Sequence, residues 1–337
     1  MIYILYHANC QDGLGSKYAA WKKFGDNGTT YIPVTYGQEI PEEVYGETAR
    51  FDGIPTGTRF YDPATKNLFV KDTEHVTVIQ EPGEKFDDGS AMSFVFDNDE
   101  LLHVCGTNDV YICDFSYPKQ ALERLRNSVN TLVILDHHKT AQEALKDFPG
   151  AIFDMNRSGA MITWNYFHPG VTPPKLLEYV QDRDLWLKKF PETDIIAGAI
   201  PLLRGDMAQW DAVATVPEDL QALYTKGLVI DQYKKVQVEN DLKAVTILPY
   251  RGYKAGVRNY TANASDIGEA IYERMDVDIS MTYFIDSEGM AVVSFRSKRG
   301  SVDVGALAKE HGGGGHMAAA GMRVDLNFLS ELLAGNL

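Results

Sequence analysis

Asp136-His137-His138 follows the apolar run Thr131-Leu132-Val133-Ile134-Leu135. A β-branched and leucine run that ends in polar residues reads as a buried parallel strand, and open α/β sheets bind ligands beyond the carboxyl ends of such strands. Imidazole and carboxylate together suit Mn, Fe or Zn better than Ca or Mg. Three more segments repeat the arrangement. His7 follows the apolar run Ile2–Tyr6, with Asp12 shortly after it; Asp114 ends the run Val110–Cys113; Asp182 and Asp184 stand in Gln181-Asp182-Arg183-Asp184-Leu185-Trp186. Singly, each has a plain structural reading: Asp114 as the cap of a helix after Pro118, His7 as a core histidine, Asp182 and Asp184 as solvated helix residues. Together they match a two-metal site, in which carboxylates bridge and cap cations about 3.5–4 Å apart.

A second constellation lies near the C-terminus, where Gly312-Gly313-Gly314-Gly315-His316 precedes Ala318-Ala319-Ala320-Gly321. Glycines let backbone N–H groups approach an anion closely. Arg296, at the end of a predicted strand, adds a candidate bidentate phosphate contact. A flexible turn is the plain alternative for the glycines.

These residues need a scaffold, and the hydrophobic pattern supplies one. Strands are expected over 2–6, 31–36, 110–113, 131–135 and 151–154, with helices over 14–24, 118–128, from about 140, and 159–167. That alternation implies βαβ units and a parallel sheet. Residues from about 50 to 108 break the rhythm with short alternating runs, among them His75–Ile79 and Ser93–Phe96, and read as a β-rich insertion without helices. Residues 174–248 look helical, with a long amphipathic run over 217–245 that Pro249 would stop. A further α/β unit follows: strands at 253–258, 279–286 and 290–296, a hairpin turn at Asp286–Gly289, and helices near 265–275 and 302–310. The organisation expected is therefore a catalytic parallel-sheet domain over 1–190, a helical connector over 191–248, and a smaller α/β domain over 249–337.

Composition sets bounds. A 337-residue chain with 45% apolar and 23% charged residues is ordinary for a globular protein of two domains. A net charge of −15 argues against an electrostatic grip on long duplex nucleic acid and leaves room for a short anionic substrate held by cations. Three cysteines, an odd and sparse count, point to a reducing compartment. With neither a signal-like N-terminus nor a long apolar stretch, the expected location is the cytoplasm, away from membranes.

The His7…Asp12-Gly13 loop, Asp114-Phe115-Ser116, Asp136-His137-His138, Asp182 and the Gly-Gly-Gly-His…Ala-Ala-Gly segment at 313–321 together resemble the DHH phosphoesterase superfamily, in the subgroup with a DHHA1 domain. Within it, Tyr6–Gly13 and Gln181–Trp186 look most like the oligoribonuclease (nanoRNase) and cyclic-nucleotide phosphodiesterase branch. The resemblance covers roughly residues 1–48, 109–190 and 250–325. It implies two divalent cations, Mn²⁺ before Mg²⁺ or Co²⁺, with His7, Asp12, Asp114, His137 and Asp182 as ligands and Asp114 bridging; Asp182 is preferred because it closely follows Val180, and the sequence leaves the choice between it and Asp184 open. Asp136 would orient a histidine, and His138 would face the scissile phosphate. Arg296, Gly313, Gly314, Gly315 and His316 would hold the substrate from the second domain, so that the two domains close on it. One departure concerns the first motif: many members carry an aspartate where Cys10 stands, and the loop from His7 is one residue shorter. Asn9 or Cys10 is left to compensate, and a thiolate would favour a softer metal. The insertion is a second departure; it reads as a rim that limits substrate length, an oligomer contact or a surface decoration.

The function expected is hydrolysis of short oligonucleotides or cyclic (di)nucleotides by a metal-activated water, possible also in a homodimer. The alternatives are a phosphomonoesterase acting on 3′,5′-bisphosphorylated nucleotides, a pyrophosphatase, and a nucleotide-sensing module without activity.

Overall fold

The structure is a computed structural model that describes all residues except Asn9, 72–75, 79–95, 97–99 and 261–263, with backbone alone for 76–78. The sequence readings placed on Asn9, His75, Ile79 and 93–95 fall outside the described residues. Inter-residue contacts divide the chain into two compact units, Met1–Leu228 and Val229–Leu337.

In the first unit, strand β1 (Ile2–His7) leads into helix α1 (Gln11–Phe24) and parallel strand β2 (Thr29–Val34). The insertion then adds strands β3 (Glu47–Arg50), β4 (Arg59–Asp62), β5 (Asn67–Lys71), β6 (Val76–Val78) and β7 (Leu101–Val104), an antiparallel sheet in the order β3-β7-β4-β5-β6. The main sheet resumes with β8 (Asp109–Cys113), α2 (Lys119–Ser128), β9 (Thr131–Asp136), α3 (Lys139–Ala144), β10 (Ala151–Phe153) and α4 (Gly159–Phe167). Its order is β10-β9-β8-β1-β2, parallel at every pairing. The strands are apolar on both sides because both faces are covered. Tyr3, Leu5, Ile112 and Ile134 pack with Leu122 and Leu125 of α2, whereas Ile4, Cys113, Val133 and Leu135 pack with Ala20 of α1 and Ile162 of α4. The insertion is more than a decoration of the surface: Tyr61 and Leu68 belong to the same buried cluster as Phe115 and Tyr117.

Helices α5 (Lys175–Asp184), α6 (Thr193–Ala199), α7 (Met207–Thr215) and α8 (Pro217–Leu242) complete the helical stretch. Residues read as connector up to Leu228 fall in the first unit, where Gln11 Nε2 donates to Ala197 O (2.7 Å) and Tyr18 OH to Asp211 Oδ1 (2.9 Å).

The second unit contains β11 (Thr246–Tyr250), β12 (Tyr253–Asn259), α9 (Ala264–Arg274), β13 (Ile279–Ile285), β14 (Ala291–Ser297), α10 (Val304–Lys309), β15 (Gly314–His316), β16 (Ala319–Val324) and α11 (Leu326–Leu333). The sheet order is β11-β12-β13-β14-β16-β15, with β12 and β13 parallel across α9 and the other pairs antiparallel. Two expectations are corrected here. Pro249 does not stop the long helix, which ends at Leu242; it lies on β11, an edge strand, where a missing N–H is tolerated. The glycine run is not a free loop, because Gly314–His316 forms edge strand β15 against β16.

Helix α1 comes so close to the end of β1, and helix α4 so close to the turn after β8, that glycine is required at both places. A Cβ on Gly13 would lie 2.0 Å from His7 O, and one on Gly159 would lie 2.4 Å from Asp114 Cβ. Gly13→Ala is therefore expected to lower stability by about 1–3 kcal/mol through overpacking. Gly53→Ala, where a Cβ meets nothing within 4 Å, should stay within about 0.5 kcal/mol of the parent. Urea unfolding in the presence of a chelator measures both; equal midpoints for the two variants would refute the packing argument.

Candidate functional site

The chain runs from β1 to β2 on one side and later to β8 on the other, so the strand order reverses between β1 and β8. A crevice opens at such a switch point beyond the carboxyl ends of the strands. His7 is the last residue of β1, Asp114 follows β8, and Asp136 ends β9, so all three stand at this crevice. Asp12 joins them from the first turn of α1 and Asp184 from the end of α5.

Asp114 is placed by its backbone. Its φ of 58° is left-handed, a conformation that aspartate tolerates better than most residues, and its N–H donates to Leu135 O at 2.8 Å. The reversal sends Phe115 into the core and leaves the Asp114 carboxylate in the crevice. There it is 1% exposed, and neither oxygen has a hydrogen bond of good geometry. Its nearest partners are His137 Nε2, 3.2 Å from Oδ1, and His7 Nδ1, 3.6 Å from Oδ2. His137 Nε2 also lies 3.6 Å from an oxygen of Asp12 and 3.6 Å from an oxygen of Asp184. One ring nitrogen thus faces three carboxylates and can donate to only one of them at a time.

Asp12 is anchored by the start of α4: Gly159 N and Ala160 N donate to its two oxygens at 2.6 and 3.0 Å. The helix N-terminus favours a negative charge there. Asp136 is an orienting group. Its Oδ1 accepts from His137 N (2.7 Å) and His138 N (3.2 Å) and pairs with His138 Nδ1 (2.7 Å), while Ser116 Oγ donates to Oδ2 at 2.5 Å.

Burial raises the Asp12 and Asp184 carboxyls, and neighbouring Asp114 raises both further. Burial also works against ionisation of Asp114, but His137 and His7 outweigh it and hold this carboxyl at about 2. Desolvation lowers the two paired imidazoles; Asp114, Asp12 and Asp184 more than reverse that for His137, and Asp136 does so for His138. Desolvation beside Asp114 and Asp12 raises the Cys10 thiol. Asp12 and Asp114 are buried, Asp184 reaches solvent at the mouth, and buried charge is stable only when it is paired or coordinates a metal. The donor atoms fit the second case. His7, Cys10 and Asp114 form one group, Asp12, His137 and Asp184 another, and Asp114, His137 and His138 a third; within each group the ligand atoms lie within 4.8 Å of one another. Asp114 belongs to two of the groups and lies 3.2 Å from His137 of the remaining one.

One residue expected at the site is elsewhere engaged. Asp182 accepts from Lys189 N (2.8 Å), Phe190 N (3.2 Å) and Thr193 Oγ1, and these bonds lower its carboxyl against the effect of burial. The chain after α5 turns through left-handed Trp186 and Lys188 to bring those donors round. Two residues on, Asp184 points into the crevice in its place. The order of the two carboxylates along a helix carries no signal for this, because it depends on where the following loop folds. Tyr36, beyond β2, was also missed: its ring is 5.4 Å from His7, 4.7 Å from Phe115 and 6.3 Å from His138, yet the residue is 59% exposed.

In the second unit, Arg296 and His316 are brought into one row. Arg296 pairs with Ala319 across β14 and β16, and Ala319 pairs with His316 across β16 and β15. Directly paired residues share a face, and Ala319 leaves space between the two longer side chains. Arg296 NH2 donates to Ser265 Oγ at 2.8 Å. Gly313 and Gly315 serve close backbone approach: a Cβ on either would lie 2.3 Å from Gly321 O or 2.5 Å from Ala319 O, respectively. Gly314 has open space around its Cβ position.

Among the described residues, no helix is long and apolar enough to cross a membrane. Residues 254–335 match the family model of the DHHA1 domain. An uncharacterized protein of Acanthamoeba polyphaga mimivirus is 27% identical over 327 residues, 95% of this chain; the chain spans 66% of that protein's length. Among solved structures, a pGpG-specific phosphodiesterase, PggH from Vibrio, is similar at 14% identity, 99% coverage of this chain, 96% of that one and a TM-score of 0.45. The exonuclease RecJ bound to manganese is similar at 14% identity, 99% and 88% coverage and a TM-score of 0.47. RecJ from Thermus thermophilus in complex with Mn²⁺ is similar at 12% identity, 99% and 51% coverage and a TM-score of 0.46. The DHHA1 match covers most of the second unit's sheet, and Asp136-His137-His138 stands at a parallel-sheet switch point in the first unit.

Proposed function

We propose that the protein is a metal-dependent phosphodiesterase that hydrolyses short oligonucleotides or cyclic (di)nucleotides to mononucleotides. The observation that carries this is the buried Asp114 carboxylate, without a good hydrogen bond on either oxygen and set among groups of metal-ligating atoms. His7, Cys10 and Asp114 would hold one divalent cation, and Asp12, His137 and Asp184 the other, with Mn²⁺ the expected metal and Mg²⁺ or Co²⁺ alternatives. Bound there, such ions would polarise a phosphoryl oxygen and lower the pKa of water. The chain's own groups would do the rest. Asp136 holds a proton on His138 Nδ1 and favours the imidazolium, so His138 Nε2–H can donate to the departing oxygen. Arg296 and His316, with the backbone near Gly313–Gly315, would bind the far phosphate of a short substrate. The net charge of −15 supports a short substrate over a long duplex. The cytoplasm remains the location proposed.

A hydrolysis panel with Mn²⁺ tests this reading: dinucleotides, longer RNA and DNA, cyclic nucleotides and 3′,5′-bisphosphates. Dinucleotides or cyclic nucleotides should be cleaved fastest, and phosphate release from bisphosphates alone would replace the diesterase by a monoesterase. Absence of metal-stimulated hydrolysis across the panel would sink the proposal.

Asp114→Asn keeps the shape and removes the charge; turnover is expected to fall by at least about a hundredfold, the scale of losing one electrostatic stabiliser in a catalytic site. Asp184→Asn should weaken Mn²⁺ binding in calorimetry, while Asp182→Asn should leave binding nearly intact and lower the melting temperature instead. The opposite pattern would return the ligand role to Asp182.

Ligands must lose their protons to bind a cation. Because Asp12, Asp184 and His137 are all raised, Mn²⁺ affinity should weaken as the pH falls from about 8 to about 6, by up to about tenfold per pH unit for each proton displaced. Calorimetry in buffers of different ionisation heat counts those protons; pH-independent affinity would contradict the assignment.

A further inference from the structure

The two outer ligand groups around Asp114 differ in chemistry. Asp12, His137 and Asp184 offer oxygen and nitrogen only, whereas His7 and Asp114 are joined by the sulfur of Cys10. Cys10 is the N-cap of the 14-residue helix α1 and makes no side-chain cap hydrogen bond there, and its sulfur lies within 4.8 Å of the His7 and Asp114 ligand atoms. The second observation is Asp114 itself, 1% exposed, with both oxygens lacking a good hydrogen bond and within reach of the sulfur's group. The other two cysteines are remote in role: Cys113 packs in the core between β8 and α4, and Cys105 packs against the opposite core cluster.

Building on the metal centre proposed above, we propose that the centre is chemically asymmetric, with Cys10 a thiolate ligand. The His7–Cys10–Asp114 group takes a thiophilic divalent ion of the Zn²⁺ or Co²⁺ kind, and the Asp12–His137–Asp184 group takes oxygen-preferring Mn²⁺. Soft thiolate ligands select Zn²⁺-like ions, whereas carboxylate and water suit Mn²⁺. As the sulfur–metal bond forms, the thiol proton passes to solvent and no electron is transferred.

Co²⁺ titrated into the metal-stripped full chain tests this without any substrate. The expected result is a near-ultraviolet thiolate-to-Co²⁺ charge-transfer band that saturates with a single equivalent. Cys10→Ser should abolish that band while calorimetry still detects Co²⁺ binding at the other group. Cys10→Asp should lower the preference for Zn²⁺ over Mn²⁺ by at least the roughly 10–100-fold that losing even an outer-shell partner costs. Co²⁺ binding without the band in the parent protein, or a band that survives in Cys10→Ser, would overturn the assignment of Cys10 and leave the two-metal reading standing. Failure to bind Co²⁺, Zn²⁺ or Mn²⁺ at all would overturn both.

Discussion

Same-sign charge held out of water around Asp114 is the constraint on which the rest of this protein depends. Four carboxylates, those of Asp12, Asp114, Asp136 and Asp184, share the crevice with the imidazoles of His7, His137 and His138. Fully protonated imidazoles would still leave the carboxylates in excess. A carboxylate with no hydrogen bond costs more in such a place than it does at the surface. The donor atoms around Asp114 fall in groups that could hold a cation, the partner the proposed function gives them.

The scaffold is arranged to keep that cluster in place. The parallel sheet sends β1, β8 and β9 toward one edge with their carboxyl ends aligned. The switch between β1 and β8 opens the crevice between two of those ends. Gly15 lets α1 come close to Ala160 of α4, whose N-terminus grips Asp12. The insertion shares a core cluster with Phe115, the residue after Asp114, so its packing bears on the backbone turn that aims the carboxylate. Each of these is a packing feature with an electrostatic consequence.

The orienting contacts divide labour within the Asp136-His137-His138 motif. Asp136 spends its oxygens on two backbone N–H groups, the Ser116 hydroxyl and the His138 ring. That leaves it without capacity to ligate, while fixing the tautomer of His138 and the direction in which His137 points. Second-layer partners of this kind govern ligand basicity and geometry. The same accounting separates Asp182 from Asp184: the first is consumed by the loop at Lys189–Thr193, and the second remains available.

Much of this was legible in the residues themselves. The apolar runs ending in His7, Asp114 and Asp136 identify parallel strands and place polar groups at their ends, because strand periodicity and burial are local properties of the chain. The β-rich character of the insertion and the hairpin at Asp286–Gly289 were readable for the same reason. What depended on tertiary structure involves contacts distant in sequence. Nothing near Asp182 tells that Thr193 Oγ1 and the backbone at 189–190 will claim its carboxylate and leave the crevice to Asp184. Nothing in the glycine run tells that it will pair as an edge strand with Ala319–Gly321, placing His316 in a row with Arg296. Composition and periodicity determine which segments can carry chemistry; only the fold decides which of two neighbouring carboxylates reaches it, since that choice rests on hydrogen bonds made across the chain rather than along it.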